Sequence, residues 1–157
     1  MILIQFFMKS QYAYSALALC TILTSCSDKE ETKPATPTTT ELSAVINASQ
    51  QTDVNGPAPT NSTATGTFAG TYTSLNRQLS YTVVYQGMTP TIAHIHTGAP
   101  GVSGPVAIPF ANLASPITGT VTLTIEQADN LVNNRMYVNL HSSAFPNGEI
   151  RGNISKK

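Results

Sequence analysis

The chain has 157 residues, and its formal charge is balanced, with 8 lysines and arginines against 8 aspartates and glutamates. Charged residues make up only 10% of the chain, so no basic surface is available to neutralise phosphates, and nucleic-acid binding is excluded. Removing residues 1–25 takes away only Lys9, which leaves 7 basic against 8 acidic side chains, a net charge of −1.

The amino-terminal segment predicts a secretory signal. Residues 10–25 are apolar, poor in charge, preceded by Lys9 and too short to span a bilayer comfortably. Met8 is the expected translation start. The segment ends in Leu23-Thr24-Ser25-Cys26, which resembles the bacterial lipobox, and that resemblance implies cleavage before Cys26 and lipidation of its thiol. Residues 1–25 are therefore predicted to be a lipoprotein signal peptide.

The residues that follow the cleavage site predict a location. An aspartate directly after the lipidated cysteine would imply retention in the inner membrane. Ser27 stands there instead, which implies the outer membrane. Ser27–Glu31 also resembles the export signal of surface lipoproteins. Residues 26–40 are polar and twice interrupted by proline, so we expect a disordered tether. The predicted protein is an outer-membrane lipoprotein on the periplasmic or cell-surface face, with the membrane as a partner through the lipid on Cys26.

Cysteine usage removes thiol chemistry from the mature protein. Cys20 lies in the signal and Cys26 at the lipidation site, so the predicted domain over residues 41–157 has no thiol for a disulfide, a zinc-thiolate site or a nucleophile. Its length of about 115 residues is enough for one hydrophobic core and too short for two.

The pattern from residue 41 onward is all β. Short segments of alternating apolar and polar residues recur between turns rich in Gly, Pro and Asn. Residues 126–132 predict one short helix. The predicted fold class is an all-β, antiparallel, Greek-key-like sandwich or barrel of about eight strands. The predicted strands cover residues 42–48, 63–75, 79–86, 91–97, 106–110, 119–125, 136–141 and 149–154.

The chain's three histidines fall in two of these strands. His94 and His96 are two residues apart, so an extended strand places both rings on one face, and His141 can join them if the two strands are neighbours. Two interpretations stay open. The three neutral rings could bind Cu(II) or Zn(II), with Glu149 or water as a fourth ligand. Alternatively, the rings could hydrogen-bond to the backbone and brace the loop over residues 98–105 without any metal.

No catalytic constellation is visible in the sequence. Ser142 and Ser143 follow His141 directly, but neighbours on a strand point to opposite faces, which does not predict a catalytic triad. The glutamates of the domain fall in separate elements, and the chain has no Trp to stack a sugar, which disfavours glycoside cleavage. We expect no enzymatic activity.

Two motifs resemble the CHRD domain, which occurs in the repeats of chordin and singly in bacterial exported proteins. The first is His94-Ile-His96 with its Gly/Pro loop and Gly104-Pro105-Val106, and the second is Tyr137-Val-Asn-Leu-His141 with Phe145-Pro-Asn-Gly-Glu-Ile-Arg-Gly152. The resemblance covers nearly all of residues 41–154 and implies a β-rich extracellular module of undefined biochemical role. The motif residues besides the histidines are Gly98, Gly104, Pro105, Asn139, Gly148, Arg151 and Gly152.

These features predict a lipid-anchored CHRD domain of the cell envelope that acts as a binding or structural module, with an envelope or extracellular protein as its partner. The alternative is a copper- or zinc-binding protein that uses His94, His96 and His141. The His-x-His strand also resembles the copper-bearing strand of Cu/Zn superoxide dismutase, but the residues that complete the zinc half of that site are missing, so dismutase activity is not implied. Glu149 and Arg151 share one strand face and could instead pin the long loops to the sheet.

Overall fold

The structure, a computed structural model, describes residues 36–157. The predicted signal peptide over residues 1–25, the predicted lipidation site Cys26 and most of the predicted tether lie outside the described residues. Within the part of the chain that the structure describes, no helix has the length and apolar character needed to cross a membrane.

The described residues form short strands, one 3-10 turn and one α-helix. In chain order these are β1 (Thr39–Asn47), the 3-10 turn (Ala48–Gln50), β2 (Thr52–Asp53), β3 (Gly56–Pro57), β4 (Thr65–Thr73), β5 (Gln78–Gln86), β6 (Ile92–Thr97), β7 (Val106–Pro109), β8 (Ile117–Thr122), α1 (Ile125–Val132), β9 (Met136–His141), β10 (Ile150–Asn153) and β11 (Ser155–Lys156).

Eight strands form one antiparallel sheet in the order β7-β6-β9-β10-β1-β4-β5-β8, and β11 also pairs with β1. The sheet curls into a half-barrel, with β7 and β8 at the two ends of the order. Strands β2 and β3 form a separate two-stranded hairpin. The predicted all-β antiparallel fold of about eight strands with one short helix is confirmed.

One face of the sheet carries the hydrophobic core. Burial alternates along the strands, as in β1, where Leu42, Ala44 and Ile46 are buried and their neighbours are more exposed. Removing a large side chain of this kind from water contributes about 1.5–3 kcal/mol. Further buried members of this core are Phe68, Leu79, Val83, Ile95, Ile117, Leu123, Val138, Leu140, Ile150 and Ile154.

The one helix within residues 36–157 is short and has a capped N-terminus. Thr124 and Gln127 form a capping box, because the Thr124 side chain accepts from the Gln127 backbone N–H and the Gln127 side chain accepts from the Thr124 backbone N–H. The same Gln127 amide donates to Ala107 O at 3.1 Å, which ties α1 to β7. Ala128 and Leu131 are buried in the core, so tertiary packing supports a helix too short to be stable alone.

The opposite face of the sheet is covered by loops around β9. All six residues of β9 are buried, although only alternate ones can face the hydrophobic core. Met136, Val138 and Leu140 belong to that core, whereas Tyr137 and His141 lie on the other face of the sheet. A second, polar interior therefore lies between β9 and the loops, and it holds the histidines.

Candidate metal centre

The register of β6 against β9 brings the three histidines together. His94 lies opposite Asn139, His96 opposite Tyr137, and His141 opposite Ile92. Since directly opposed residues of an antiparallel pair share a face, all three rings project to the same side. The ring centroid of His94 lies 4.5 Å from that of His96 and 4.7 Å from that of His141, and the centroids of His96 and His141 are 6.4 Å apart.

Backbone carbonyls determine which nitrogen of two rings faces the cluster. His96 Nδ1 lies 2.8 Å from Gly104 O, and His141 Nδ1 lies 2.9 Å from Pro146 O. A carbonyl oxygen can only accept, so Nδ1 carries the proton in both rings and Nε2 keeps its lone pair. In metal sites, a ligating histidine usually donates its other ring N–H to a backbone carbonyl, a carboxylate or water in this way.

Three buried nitrogens of the cluster have no hydrogen-bond partner in the part of the chain that the structure describes: His94 Nδ1, His96 Nε2 and His141 Nε2. One ligand nitrogen from each ring can be chosen so that all lie within 4.8 Å of one another. Buried polar atoms normally find a partner, so three orphans in one place require an explanation. A bound cation that accepts three lone pairs would be such an explanation.

Burial favours the neutral form of His94 and His96. Desolvation, followed by the repulsion of the His96 and His141 charges, lowers the pKa of His94 to about 4. Desolvation also lowers the pKa of His96, against the opposing effect of the Gly104 carbonyl. Near neutral pH both rings therefore keep the lone pairs that metal binding needs.

The donor set fits copper or zinc. Three imidazole nitrogens without a thiolate or carboxylate are ligands that suit Cu and Zn, and calcium and magnesium prefer oxygen. Three protein ligands with a fourth position left for water or another molecule is the arrangement of reactive rather than purely structural zinc sites.

Glu149, which the sequence offers as a fourth ligand, is not part of this cluster. Its carboxylate accepts a hydrogen bond of 2.6 Å from the Ser62 hydroxyl, and its backbone carbonyl accepts one of 2.9 Å from Thr60. The side chain is buried, and it anchors the loop that leads into β4. Of the two fourth ligands considered, water is the one that this arrangement leaves available.

Arg151 holds a different set of loops. Its guanidinium is fully buried and donates to Ala99 O at 3.1 Å, to the Asn153 side chain at 3.0 Å and to the Thr52 hydroxyl. Its pKa is lowered by burial, with the Tyr137 hydroxyl acting in the opposite direction. Glu149 and Arg151 thus attach separate loops to the sheet and do not pair with each other.

The motif glycines lie where a side chain has no room. A Cβ at Gly104 would come within 1.8 Å of Thr97 O, and one at Gly148 within 2.6 Å of the Gln51 amide, with φ at +120° in addition. Gly98 and Gly152 are also closely packed, and Pro105 O accepts from the Thr97 N–H at 3.0 Å. The close approach at Gly104 positions the carbonyl that holds His96.

In the strand register, Asn139 lies opposite His94 of β6 on one side and opposite Arg151 of β10 on the other. It forms an amide-to-amide hydrogen bond of 2.6 Å with Gln51, which anchors the loop after the 3-10 turn to β9. Asn139 therefore supports the cluster as a neighbour of His94 in the strand register rather than as a ligand.

Tyr137 is a site residue that sequence reasoning missed as such. Its ring stacks on His96 at 4.8 Å with an interplanar angle of 2°, and its hydroxyl accepts from the Gly104 N–H at 3.2 Å. The period-two spacing of Tyr137, Asn139 and His141 is a signal that could have found it. The contributions of Gln51 and Ser62 carry no such signal, because both residues lie in loops distant in sequence.

The cluster lies on the wall of a cavity of about 590 Å³. All three histidines line this cavity, together with Asp53, Val54, Ser103, Val106, Tyr137, Asn139, Pro146 and Asn147. An ion held by the three rings would therefore be reachable by a small molecule from the outside.

Fold and site together define an antiparallel β module with a hydrophobic core on one sheet face and a buried, histidine-bearing polar interior on the other. A family model for the CHRD domain matches residues 42–154, and the chain belongs to that family. A search of curated proteins and a search of solved structures each gave no significant match. Membership of the CHRD family indicates a binding or structural module.

Proposed function

We propose that this CHRD domain binds a copper or zinc ion through His94, His96 and His141. The observation that carries the proposal is that three clustered histidines each have one buried ring nitrogen with no hydrogen-bond partner among residues 36–157. A buried acceptor left unsatisfied costs about 1–3 kcal/mol, and three of them at one point would be an expensive way to brace a loop.

The geometry requires little change for ligation. A metal bound to imidazole at about 2.0–2.1 Å in a tetrahedral arrangement separates its ligand nitrogens by about 3.4 Å. In the present structure, one ring nitrogen from each histidine can be chosen so that the three lie within 4.8 Å of one another. Small rotations of the three rings can close this difference, and the carbonyls of Gly104 and Pro146 already hold two of the rings in the tautomer that leaves Nε2 available.

Isothermal titration of the purified full chain with Cu(II) and with Zn(II) tests the proposal. The protein must carry no histidine tag, because its own three histidines are then the only imidazoles present. We expect one ion per chain, and loss of binding in the double variant His94→Ala/His96→Ala. The matched control Thr118→Ala/Thr120→Ala changes two exposed residues at the same spacing on β8 and should bind normally.

Thermal unfolding provides an independent measurement. A ligand at 100 times its dissociation constant stabilises the folded state by about 2.7 kcal/mol, so Tm should rise on addition of the ion that binds. Equal binding heats for the wild type and the histidine double variant, with no change in Tm, would reject a metal function and leave the three rings as loop braces.

We further propose that the domain is held at the outer membrane by a lipid on Cys26 and serves there as a binding module for an envelope or extracellular protein. The support is the lipobox-like Leu23-Thr24-Ser25-Cys26 at the end of an apolar segment. Cys26→Ser should abolish incorporation of labelled palmitate and release the protein from the membrane fraction. A variant that still sediments with membranes and still takes up the label would contradict the proposal. Protease treatment of intact cells distinguishes the cell-surface face from the periplasmic face.

A further inference from the structure

The histidine cluster offers three ligands, one fewer than a four-coordinate ion takes. Among the described residues, the cluster of potential ligands contains His94, His96 and His141 and no carboxylate or thiolate. The Glu149 carboxylate is engaged by Ser62. The cavity of about 590 Å³ falls within the range of about 300–1,000 Å³ that small-molecule sites occupy, so an exogenous ligand has room beside the rings.

The charges around this position favour an anion. Three neutral imidazoles leave the charge of a divalent ion undiminished. The Tyr137 ring stacks on His96. The fully buried guanidinium of Arg151 lies on the other face of the Tyr137 ring, 3.5 Å from its centroid, and adds a further positive charge. Within residues 36–157, Arg151 has no ion-pair partner.

Two carboxylates near the site oppose this field, namely Glu149, which is buried and accepts from Ser62, and Asp53. Asp53 lines the cavity, but it is exposed at the rim, where water screens its charge, and its Oδ1 accepts from the Asn55 N–H at 2.7 Å. The ion, Arg151 and Glu149 act through a medium of lower dielectric constant, and there the single negative charge of Glu149 does not offset the three positive charges of the divalent ion and Arg151.

We propose that the metal-loaded cavity binds a small monovalent anion at the fourth position of the ion. This inference rests on the proposed metal function. The ion supplies the bond to the anion, and the chain supplies three neutral ligands, the nearby positive charge of Arg151 and the enclosing wall. The class of ligand is an inorganic or carboxylate anion small enough to reach the bottom of the cavity.

Azide is the probe for the experiment. The full chain, purified without a tag and loaded with one equivalent of Cu(II), is titrated with sodium azide while its electron paramagnetic resonance and visible absorption spectra are recorded. We expect a saturable change with one azide per copper and a new charge-transfer band. Sodium perchlorate at equal ionic strength is the control and should leave both spectra unchanged.

Two charge variants test the electrostatic part. Asp53→Asn keeps the acceptor for the Asn55 N–H and removes the rim charge, so azide affinity should rise about twofold. Arg151→Gln removes the buried charge and should lower azide affinity about threefold or more. If Arg151→Gln fails to fold, the Asp53→Asn result decides, since that residue is exposed and is not a ligand in the proposed site.

The outcomes separate this inference from the function on which it rests. Uptake of Cu(II) with spectra that do not respond to azide overturns the anion site and leaves metal binding intact. A response to azide that is unchanged in Asp53→Asn overturns the role of charge in selecting the ligand. Failure to take up Cu(II) at all overturns the proposed metal function and the anion site with it.

Discussion

The guanidinium carbon of Arg151 lies 3.5 Å from the centroid of the Tyr137 ring. The other face of that ring stacks on His96, so a cation, a phenol and an imidazole form one column across β10, β9 and β6. This column links the loop anchor to the histidine cluster. A change at either end should therefore be detected at the other.

Tyr137 should stabilise the domain mainly through its ring. Tyr137→Phe keeps the stack and removes the hydroxyl that accepts from the Gly104 N–H, which should cost about 1 kcal/mol of unfolding free energy. Tyr137→Leu also removes the aromatic face from Arg151 and should cost about 3 kcal/mol. Urea denaturation of both variants measures the difference. Equal losses would mean that the stack contributes nothing.

Replacement of Arg151 by lysine should be strongly destabilising. Lysine keeps the buried charge but cannot reach Ala99 O, Thr52 and Asn153 together, so we expect a loss of about 3 kcal/mol. Arg135→Lys is the matched control, because Arg135 is partly exposed and pairs with Asp129 at the surface. That substitution should change the unfolding free energy by less than about 0.5 kcal/mol. Similar losses in the two variants would contradict the role of Arg151 as a loop anchor.

The metal-free domain should lose stability in mildly acidic solution. The pKa of His94 is about 4 in the folded state, against about 6.5 in an unfolded chain. Between these values the unfolded chain binds a proton at His94 and the folded chain does not, so protons favour unfolding. The loss begins as pH falls through about 6.5 and its contribution from His94 is complete near pH 4.

Urea midpoints measured at a series of pH values test this dependence. In His94→Gln the loss of stability between about pH 6.5 and 4 should be smaller, with His96, whose pKa is also lowered, contributing the remainder. With Zn(II) at saturation the decline should become steeper, since protons then also displace the ion from the rings. A midpoint that stays constant across this range would show that the rings are not desolvated.

Gly104 should be far less tolerant of substitution than Gly101 in the same loop. Alanine at Gly104 would place Cβ 1.8 Å from Thr97 O, which should cost about 3 kcal/mol and weaken metal binding by displacing the carbonyl that holds His96. Alanine at Gly101 meets open space and suffers only the strain of φ +80°, about 1 kcal/mol. Thermal unfolding and metal titration of both variants provide the comparison, which fails if Gly101→Ala is the more damaging.

Glu149→Gln should leave the affinity for Cu(II) or Zn(II) unchanged. The glutamine carbonyl can still accept from Ser62, and the side chain lies outside the histidine cluster. His141→Ala, which removes a ligand from the same strand pair, is the comparison and should lose binding. A tenfold or greater drop in affinity for Glu149→Gln would return this residue to the metal site as a ligand.

Much of the fold follows from local patterns in the chain. Alternation of apolar and polar residues in β1, β5 and β6 indicates strands with one buried face, and turn residues mark their ends. The same alternation places His94 and His96 side by side, because successive residues of any extended strand point to opposite faces. The identity of the family is also readable from the two motifs, which lie within the matched residues 42–154.

The hydrogen-bond partner of Glu149 is an example of a contact that local sequence patterns do not predict. Its place beside β10 makes it a reasonable fourth ligand, yet a hydroxyl 87 residues away in sequence engages its carboxylate. No periodicity reports such a contact, because the loop that carries Ser62 has no repeating geometry.

The sequence by itself determined the all-β class, the shared face of His94 and His96 and the absence of thiols from the domain, since each depends on residue type and on the two-residue period of a strand. The tertiary structure alone decided that β6 lies beside β9 in the register that adds His141, and that the carbonyls of Gly104 and Pro146 turn two Nε2 atoms inward. These features depend on pairing between distant segments and on loop conformation. The three histidines are thus visible in the chain, whereas their convergence into a site is a property of the fold.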